Sequence, residues 1–264
     1  MILDEIAAAA RTRIEKLKRE RPAPELKEQA LQMPKGDFSF ARALRASEFA
    51  MICEVKRASP SAGIISPEFP YLNIARAYEE AGADAISVLT EPDFFQGRDA
   101  YLREIRNAVK TPLLRKEFIL DEYQIYESKC LGADAVLLIC ALLDDEDLIR
   151  FVSLCRALGL STLVEAHTEE EVFRALSAGA EILGVNNRDL KTFQVDFNIS
   201  LRLRPLAPEE ILFIAESGVK TPEDIGRLAR AGVNGALVGE RLMRSGDPKA
   251  ALALLREGTA YNED

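Results

Sequence analysis

Five ionisable residues occupy one kind of place along this chain, the C-terminal end of an apolar run. Glu54 and Lys56 close MICEVK, Lys116 closes PLLRK, Glu165 closes STLVE and Glu216 closes ILFIAE; Asn186 holds the equivalent place in ILGVNN. Carboxylates and lysines gathered at one point can hand protons to and from a bound molecule, which is general acid–base chemistry. A charge inside a buried apolar strand is costly unless it is paired or solvated at the strand's end. Five at the same end therefore imply one mouth to which several strands deliver their chemistry. Period-2 alternation agrees: Ile52, Glu54 and Lys56 share a face, as do Leu163 with Glu165, and Leu212 and Ile214 with Glu216. The competing reading is an ion-pair plug, in which Glu54–Lys56 and Glu165–Lys116 only neutralise one another.

The last two runs add an anion site. Gly218 in AESG and Gly239 in LVGERLMR follow them directly, and glycine lets backbone N–H groups approach an oxyanion closely. A short helix beginning near Glu240 would add its positive N-terminal dipole. His167 is the sole histidine, which excludes a His-rich metal site; beside Glu165 it reads as a loop or supporting residue. Phe94 and Phe95 in TEPDFFQG either cover an aromatic substrate or anchor their loop, and the substrate role is favoured. The acidic run Asp144, Asp145, Glu146 and Asp147 reads as the solvated start of a helix.

The elements that must position these residues follow from periodicity. Strands are expected over 50–56, 84–90, 112–117, 134–140, 161–166, 181–186, 211–216 and 235–239. AGAD, LGAD, AGAE and AGVN recur about every 50 residues, each joining a helical stretch to the next apolar run. Their glycines, Gly82, Gly132, Gly179 and Gly232, suit the left-handed position that ends a helix. Four repeats of two βα units give eight strands. Helical faces lie between them: Ile74, Ala77, Tyr78 and Ala81 in one segment, Leu148, Phe151, Val152 and Cys155 in another. Eight such units predict an α/β fold, a closed (β/α)8 TIM barrel. The rival, a doubly wound open sheet, usually carries a glycine-rich nucleotide loop after an early strand, and no GxGxxG or GxxxxGK[ST] occurs. Ahead of the barrel, Leu3, Ile6, Ala7, Ala10, Ile14 and Leu17 form an apolar stripe. Residues 1–45 are expected to be a helical extension capping the barrel, and 46–264 the barrel, within a single domain overall.

Composition excludes several classes of function. Of 264 residues, 48% are hydrophobic and 29% charged, ordinary for a globular protein. A net charge of −9 argues against nucleic acid or an anionic membrane as partner. No run approaches the roughly 20 apolar residues of a membrane span. The start, MILDEIAAAARTRIEK, is unlike a signal peptide. Cys53, Cys130, Cys140 and Cys155 form no CxxC pair and read as reduced thiols of a cytoplasmic protein. Without a heptad seam, monomer is the default.

The motifs CEVKRASPSAG, SVLTEPDFFQG, LLRKEFILDEYQIYES, LVEAHTEEE, GVNNRDLKTF, AESGV and LVGERLMR, in this order over essentially the whole chain, resemble indole-3-glycerol phosphate synthase. The resemblance implies a carboxy-lyase of tryptophan biosynthesis. It would convert 1-(2-carboxyphenylamino)-1-deoxyribulose 5-phosphate to indole-3-glycerol phosphate with loss of CO₂ and water, and without cofactor or metal. Under it, Lys116 matches the general acid and Glu165 its acid/base partner, with Glu54 and Lys56 the pair on the first strand. Asn186, Arg188, Glu216 and Ser217 match substrate contacts, and Ser59, Gly218 and Gly239 match phosphate-side positions. Arg241 departs from the pattern, being bulkier than the small residue often found there. The chemistry fits these residue types: Lys116 can protonate a keto oxygen if burial or nearby cations lower its pKa, while Lys56 and Glu165 divide the dehydration. Lys56, Lys116 and Arg188 supply the cationic pocket that an anionic substrate needs. Two rivals are a different phosphosugar barrel enzyme, such as phosphoribosylanthranilate isomerase or a tryptophan synthase α-like lyase, and a non-catalytic barrel that binds a phosphometabolite.

Overall fold

The computed structural model describes residues 2–189 and 192–262. Eight parallel strands, β1 (Ala50–Val55), β2 (Ala85–Leu89), β3 (Leu113–Lys116), β4 (Ala135–Ile139), β5 (Ser161–Ala166), β6 (Ile182–Asn186), β7 (Leu212–Glu216) and β8 (Gly235–Val238), pair in sequence order. β1 closes the ring against β8, with Ala50 opposite Gly235. The open-sheet rival is thereby excluded. Each strand lies within a residue or so of its expected span.

Alternation divides each strand between two apolar layers. Ile52, Leu114, Leu137, Leu163, Ile182 and Ile214 fill the lumen, whereas Met51, Val88, Val136, Leu138, Val164 and Phe213 pack outward. The outward set meets the helices α4 (Tyr71–Glu80), α5 (Asp99–Ala108), α6 (Glu122–Leu131), α7 (Asp145–Leu158), α8 (Glu169–Ser177), α9 (Asn198–Leu203) and α10 (Pro222–Arg230). After β8 come the single turn α11 (Glu240–Met243) and then α12 (Pro248–Arg256). The acidic run does start a helix: Asp144 caps α7 by accepting from Asp147 N at 2.8 Å.

The glycine repeats build the lower rim. Gly82, Gly132, Gly179 and Gly232 all have φ between 78° and 88°, the left-handed geometry that ends a helix. Two residues on, a short polar side chain takes the first or second N–H of the preceding strand. Asp84 accepts from Met51, Asp134 from Leu113 and Asn234 from Phe213, each at 2.7–2.8 Å. The repeat thus satisfies strand starts, and its polar residues do no chemistry.

Residues ahead of β1 touch both ends of the barrel. α1 (Ile2–Glu20) reaches the upper mouth, where Arg13 meets Glu91, Asp93 and Glu117. α2 (Ala23–Gln32) runs beside α6. α3 (Ser39–Arg45) then inserts Phe40, Ala41 and Leu44 beneath the lumen layer, with Ser39 on Asp134 and Ala41 N on Ser161. The chain enters α3 past Gly36, whose backbone lies flat on that of Gly159 at the end of α7. A Cβ on Gly36 would stand 2.3 Å from the Gly159 carbonyl oxygen.

Candidate active site

Strand ends deliver the ionisable residues to one place. Lys116, Asn186 and Glu216 are the last residues of β3, β6 and β7; Glu165 is the last but one of β5; Glu54 lies on β1 with Lys56 just beyond it. Lys116 Nζ donates to Glu165 Oε2 at 3.3 Å and also to Glu216 Oε2. Lys56 Nζ donates to Glu54 Oε1. The expected pairs form, and Glu216 joins them as a second carboxylate on Lys116. All three carboxylates are almost wholly buried, so their charges interact strongly.

Burial and neighbours split the two carboxylates on Lys116. Burial pushes Glu216 up, and Glu165 and Glu54 push it further; Lys116 opposes them, leaving it at about 7. Burial also acts upward on Glu165, but Lys116, His167 and a hydrogen bond from Asn186 outweigh it and hold Glu165 below its ordinary range. Two acids in one site thus come to differ, the usual sign of divided roles. The condition of a Lys116 lowered by burial or nearby cations is not met. Burial does act that way, but its neighbours are carboxylates, and Glu216, Glu165 and Glu54 hold the ammonium above its usual value. Lys116 is a stable cation, and the group poised near neutrality is Glu216.

His167 supports Glu165. Its Nε2 lies 3.6 Å from Glu165 Oε1 and its Nδ1 3.5 Å from Glu171 Oε2. Burial lowers the imidazole, but the hydrogen bond to Glu171 and the charges of Glu165, Glu171 and Glu216 leave it above its ordinary value. It does not line the cavity.

The anion side is built by loops. Ser217, with φ of 63°, and Gly218, with φ of 92°, turn the chain sharply after β7 in the left-handed region. Asn187, fully buried, secures that turn: its Nδ2 donates to Ser217 O at 3.0 Å, and its Oδ1 accepts from Ser200 N and Oγ at 2.9 Å each. Asn187 escaped the sequence reading, since the neighbouring Asn186 carries the strand-end signal; the doubled Asn was the only hint. Gly239 is the N-cap of the single turn α11, and it lines the mouth together with Glu240 and Arg241; the Glu240 carboxylate pairs with Arg244 at 3.0 Å.

One cavity of about 530 Å³ joins these parts. Glu54, Lys56, Ser59, Lys116, Glu165 and Asn186 line it, as do Arg188, Glu216, Ser217, Gly218, Gly239 and Glu240. Phe94 does not; its neighbour Phe95 does, because Glu91 accepts the N–H groups of Asp93, Phe94 and Phe95 and folds the loop so that the second ring faces inward. Phe118, Leu137, Ile139 and Leu237 form an apolar wall, joined by Ile2, Leu3 and Ile6 from α1. Lys220, Arg241 and Arg244 add cations at the rim. Periodicity gave the stripe with Leu3 and Ile6 and the strands with Leu137, Ile139 and Leu237, but could not reveal that they meet at this cavity, nor the loop residues Phe95, Phe118, Lys220 and Arg244. Among the described residues no His, Cys, Asp and Glu cluster could hold a metal, and no helix is long and apolar enough to cross a membrane.

A closed (β/α)8 barrel with a buried acid–base cluster and an anion-binding rim at the C-terminal ends of its strands defines an α/β-barrel enzyme acting on a phosphorylated small molecule. A profile described as indole-3-glycerol phosphate synthase matches residues 3–255. An indole-3-glycerol phosphate synthase of Ruminiclostridium cellulolyticum is 53% identical over 257 residues, covering 97% of this chain and 99% of that protein. One of Endomicrobium trichonymphae is 53% identical over 258 residues, covering 97% and 100%. A thiamine phosphate pyrophosphorylase structure from Pyrococcus furiosus shares the fold alone, with TM-score 0.60 at 16% identity, over 82% of this chain and 98% of that one. The chain belongs to the indole-3-glycerol phosphate synthase family.

Proposed function

We propose that this protein closes the indole ring in tryptophan biosynthesis, converting 1-(2-carboxyphenylamino)-1-deoxyribulose 5-phosphate to indole-3-glycerol phosphate, CO₂ and water. The observation that carries this reading is Lys116, held as a cation between Glu165 and Glu216 and facing a cavity with one apolar and one cationic wall. The apolar wall suits the anthranilate ring. Lys56, Arg188, Lys220 and Arg241, with the amides at Gly218 and Gly239, suit the carboxylate and phosphate.

Ring closure builds negative charge on the keto oxygen as the aromatic carbon attacks. The Lys116 ammonium neutralises that charge and donates the proton. Loss of CO₂ follows. Lys56, oriented by Glu54, then protonates the departing hydroxyl, which leaves as water. Glu165, ionised at neutral pH, takes the proton released as the indole becomes aromatic. Glu216, near its own midpoint, returns a proton to Lys116. The cluster faces a cavity of about 530 Å³ whose other walls are apolar and cationic, which favours catalysis over a plug of mutually neutralising pairs.

We read residues 1–45 as an extension of the 46–264 barrel, since α1 supplies cavity wall and α3 seats the lumen floor. We also read the protein as a cytoplasmic monomer; the free cysteines, three of the four buried, support a reducing compartment. The test of function is a fluorescence assay with purified protein and the carboxyphenylamino-deoxyribulose phosphate, without added metal or cofactor. Steady indole product is expected. Folded protein that binds this compound and never turns it over overturns the reading.

A further inference from the structure

Gly184 sits on the lumen side of β6, in register with Glu165 of β5. Its φ lies outside the left-handed region, so backbone geometry does not require glycine there. Glycine in a strand interior weakens the strand and marks a place where another group approaches closely. That group is Glu216. A Cβ on Gly184 would stand 2.3 Å from Glu216 Oε1, and 3.2 and 3.3 Å from Leu163 Cδ1 and Cγ. Among the described residues, Glu216 Oε1 is buried and accepts no hydrogen bond, while its other carboxylate oxygen meets Lys116. One oxygen is therefore held by a cation and the other by contact with a bare Cα.

We propose that Gly184 is a positioning residue for the reaction: the side chain it lacks is the seat of the Glu216 carboxylate, and that seat keeps the carboxylate on Lys116. The role in turnover rests on the function proposed above. The same device recurs beside Glu54, whose Oε1 lies 2.5 Å from where a Cβ on Gly239 would be. At position 184 an added methyl meets the far end of a flexible side chain, and the leucine needs to give only by a few tenths of an ångström. Alanine therefore moves the carboxylate and leaves the strand in place.

The experiment compares wild type, Gly184→Ala, Glu216→Asp and the double variant by kcat, KM and urea unfolding. Gly184→Ala should lower kcat by about 10²-fold, the scale of an ångström-level misplacement, with KM within about threefold of wild type. In the Glu216→Asp background the same alanine should cost almost nothing, because the shorter carboxylate leaves room for the methyl. Wild-type turnover by Gly184→Ala, or an equal loss in both backgrounds, overturns the seat. Should Gly184→Ala alone fail to fold, Glu216→Asp against the double variant decides by the same criterion. The seat is also legible without turnover, since alanine should shift the pH midpoint of the stability change that Glu216 causes. A shifted midpoint in protein that makes no indole product upholds the seat and overturns the reaction; an unshifted one overturns the seat.

Discussion

Replacing Glu216 by glutamine removes one titration and nearly nothing of the shape. In the native protein this carboxyl titrates at about 7, against 4.5 for an ordinary glutamate. The folded state therefore binds more protons than the unfolded one between those values, and stability falls as pH rises through that window. At about 1.4 kcal/mol per unit, the loss by pH 8 is about 3 kcal/mol. Glu165 is shifted the other way, so its stability change falls below pH 4.5, outside the window. His167, raised above 6.5, also favours the folded state at low pH and loses that contribution as pH rises through its folded value. Its slope is present in both proteins and largely cancels in the difference. Urea unfolding of wild type and Glu216→Gln at pH 5, 6, 7 and 8 makes the measurement. The variant should gain on wild type by about 2–3 kcal/mol between pH 5 and 8. Parallel stability curves would refute the claim that a proton resides on Glu216 near neutral pH. The same substitution should also lower kcat by 10²-fold or more and remove a limb near pH 7 from its pH profile.

Further substitutions probe other parts of the molecule. Lys116→Met should reduce kcat by at least about 10²-fold in a folded protein; near-normal turnover in the indole assay removes Lys116 from the mechanism. Arg13→Ala leaves the buried Glu91 without its guanidinium partner, leaves Glu117 with Arg115 alone, and removes one tie of the helix that carries Ile2, Leu3 and Ile6 into the cavity. It should cost about 1–3 kcal/mol in urea unfolding, less than a fully enclosed pair because Arg13 is partly exposed, and should raise KM more than it lowers kcat. An unchanged KM would separate α1 from substrate binding. Gly36→Ala drives a methyl into the Gly159 backbone, which no rotamer can relieve. A loss of at least about 1–3 kcal/mol is expected, with kcat per folded molecule unaltered, since this contact lies at the closed end of the barrel.

The barrel was legible because its signals are local. Apolar runs, helical stripes and the AGAD-like repeats are properties of consecutive residues, and each maps onto one strand, one helix or one left-handed turn. A strand's alternation also settles which side chains share a face, so Glu54, Glu165 and Glu216 could each be grouped with the apolar residues of their own segments; that this face is the lumen came from the closed barrel. Their partners could not. Glu216 and Glu165 share Lys116 across 100 and 49 residues of chain, and that pairing raises the lysine and divides the acids. The condition under which Lys116 would be lowered toward neutrality is not met for this reason: the sign of a pKa shift depends on which charges arrive from other strands. The inward aromatic, Phe95 in place of Phe94, was decided by the hydrogen bonds that wrap its loop around Glu91. Asn187, Arg13 and the seat at Gly184 belong with these, each defined by a contact between distant segments. Residue order by itself determined the fold and the chemical types at the mouth, since both follow from periodicities of 3.6 and 2. Protonation states, the cavity's apolar wall and the role of the extension arose only in the tertiary structure, where burial and Coulomb interactions depend on distance in space.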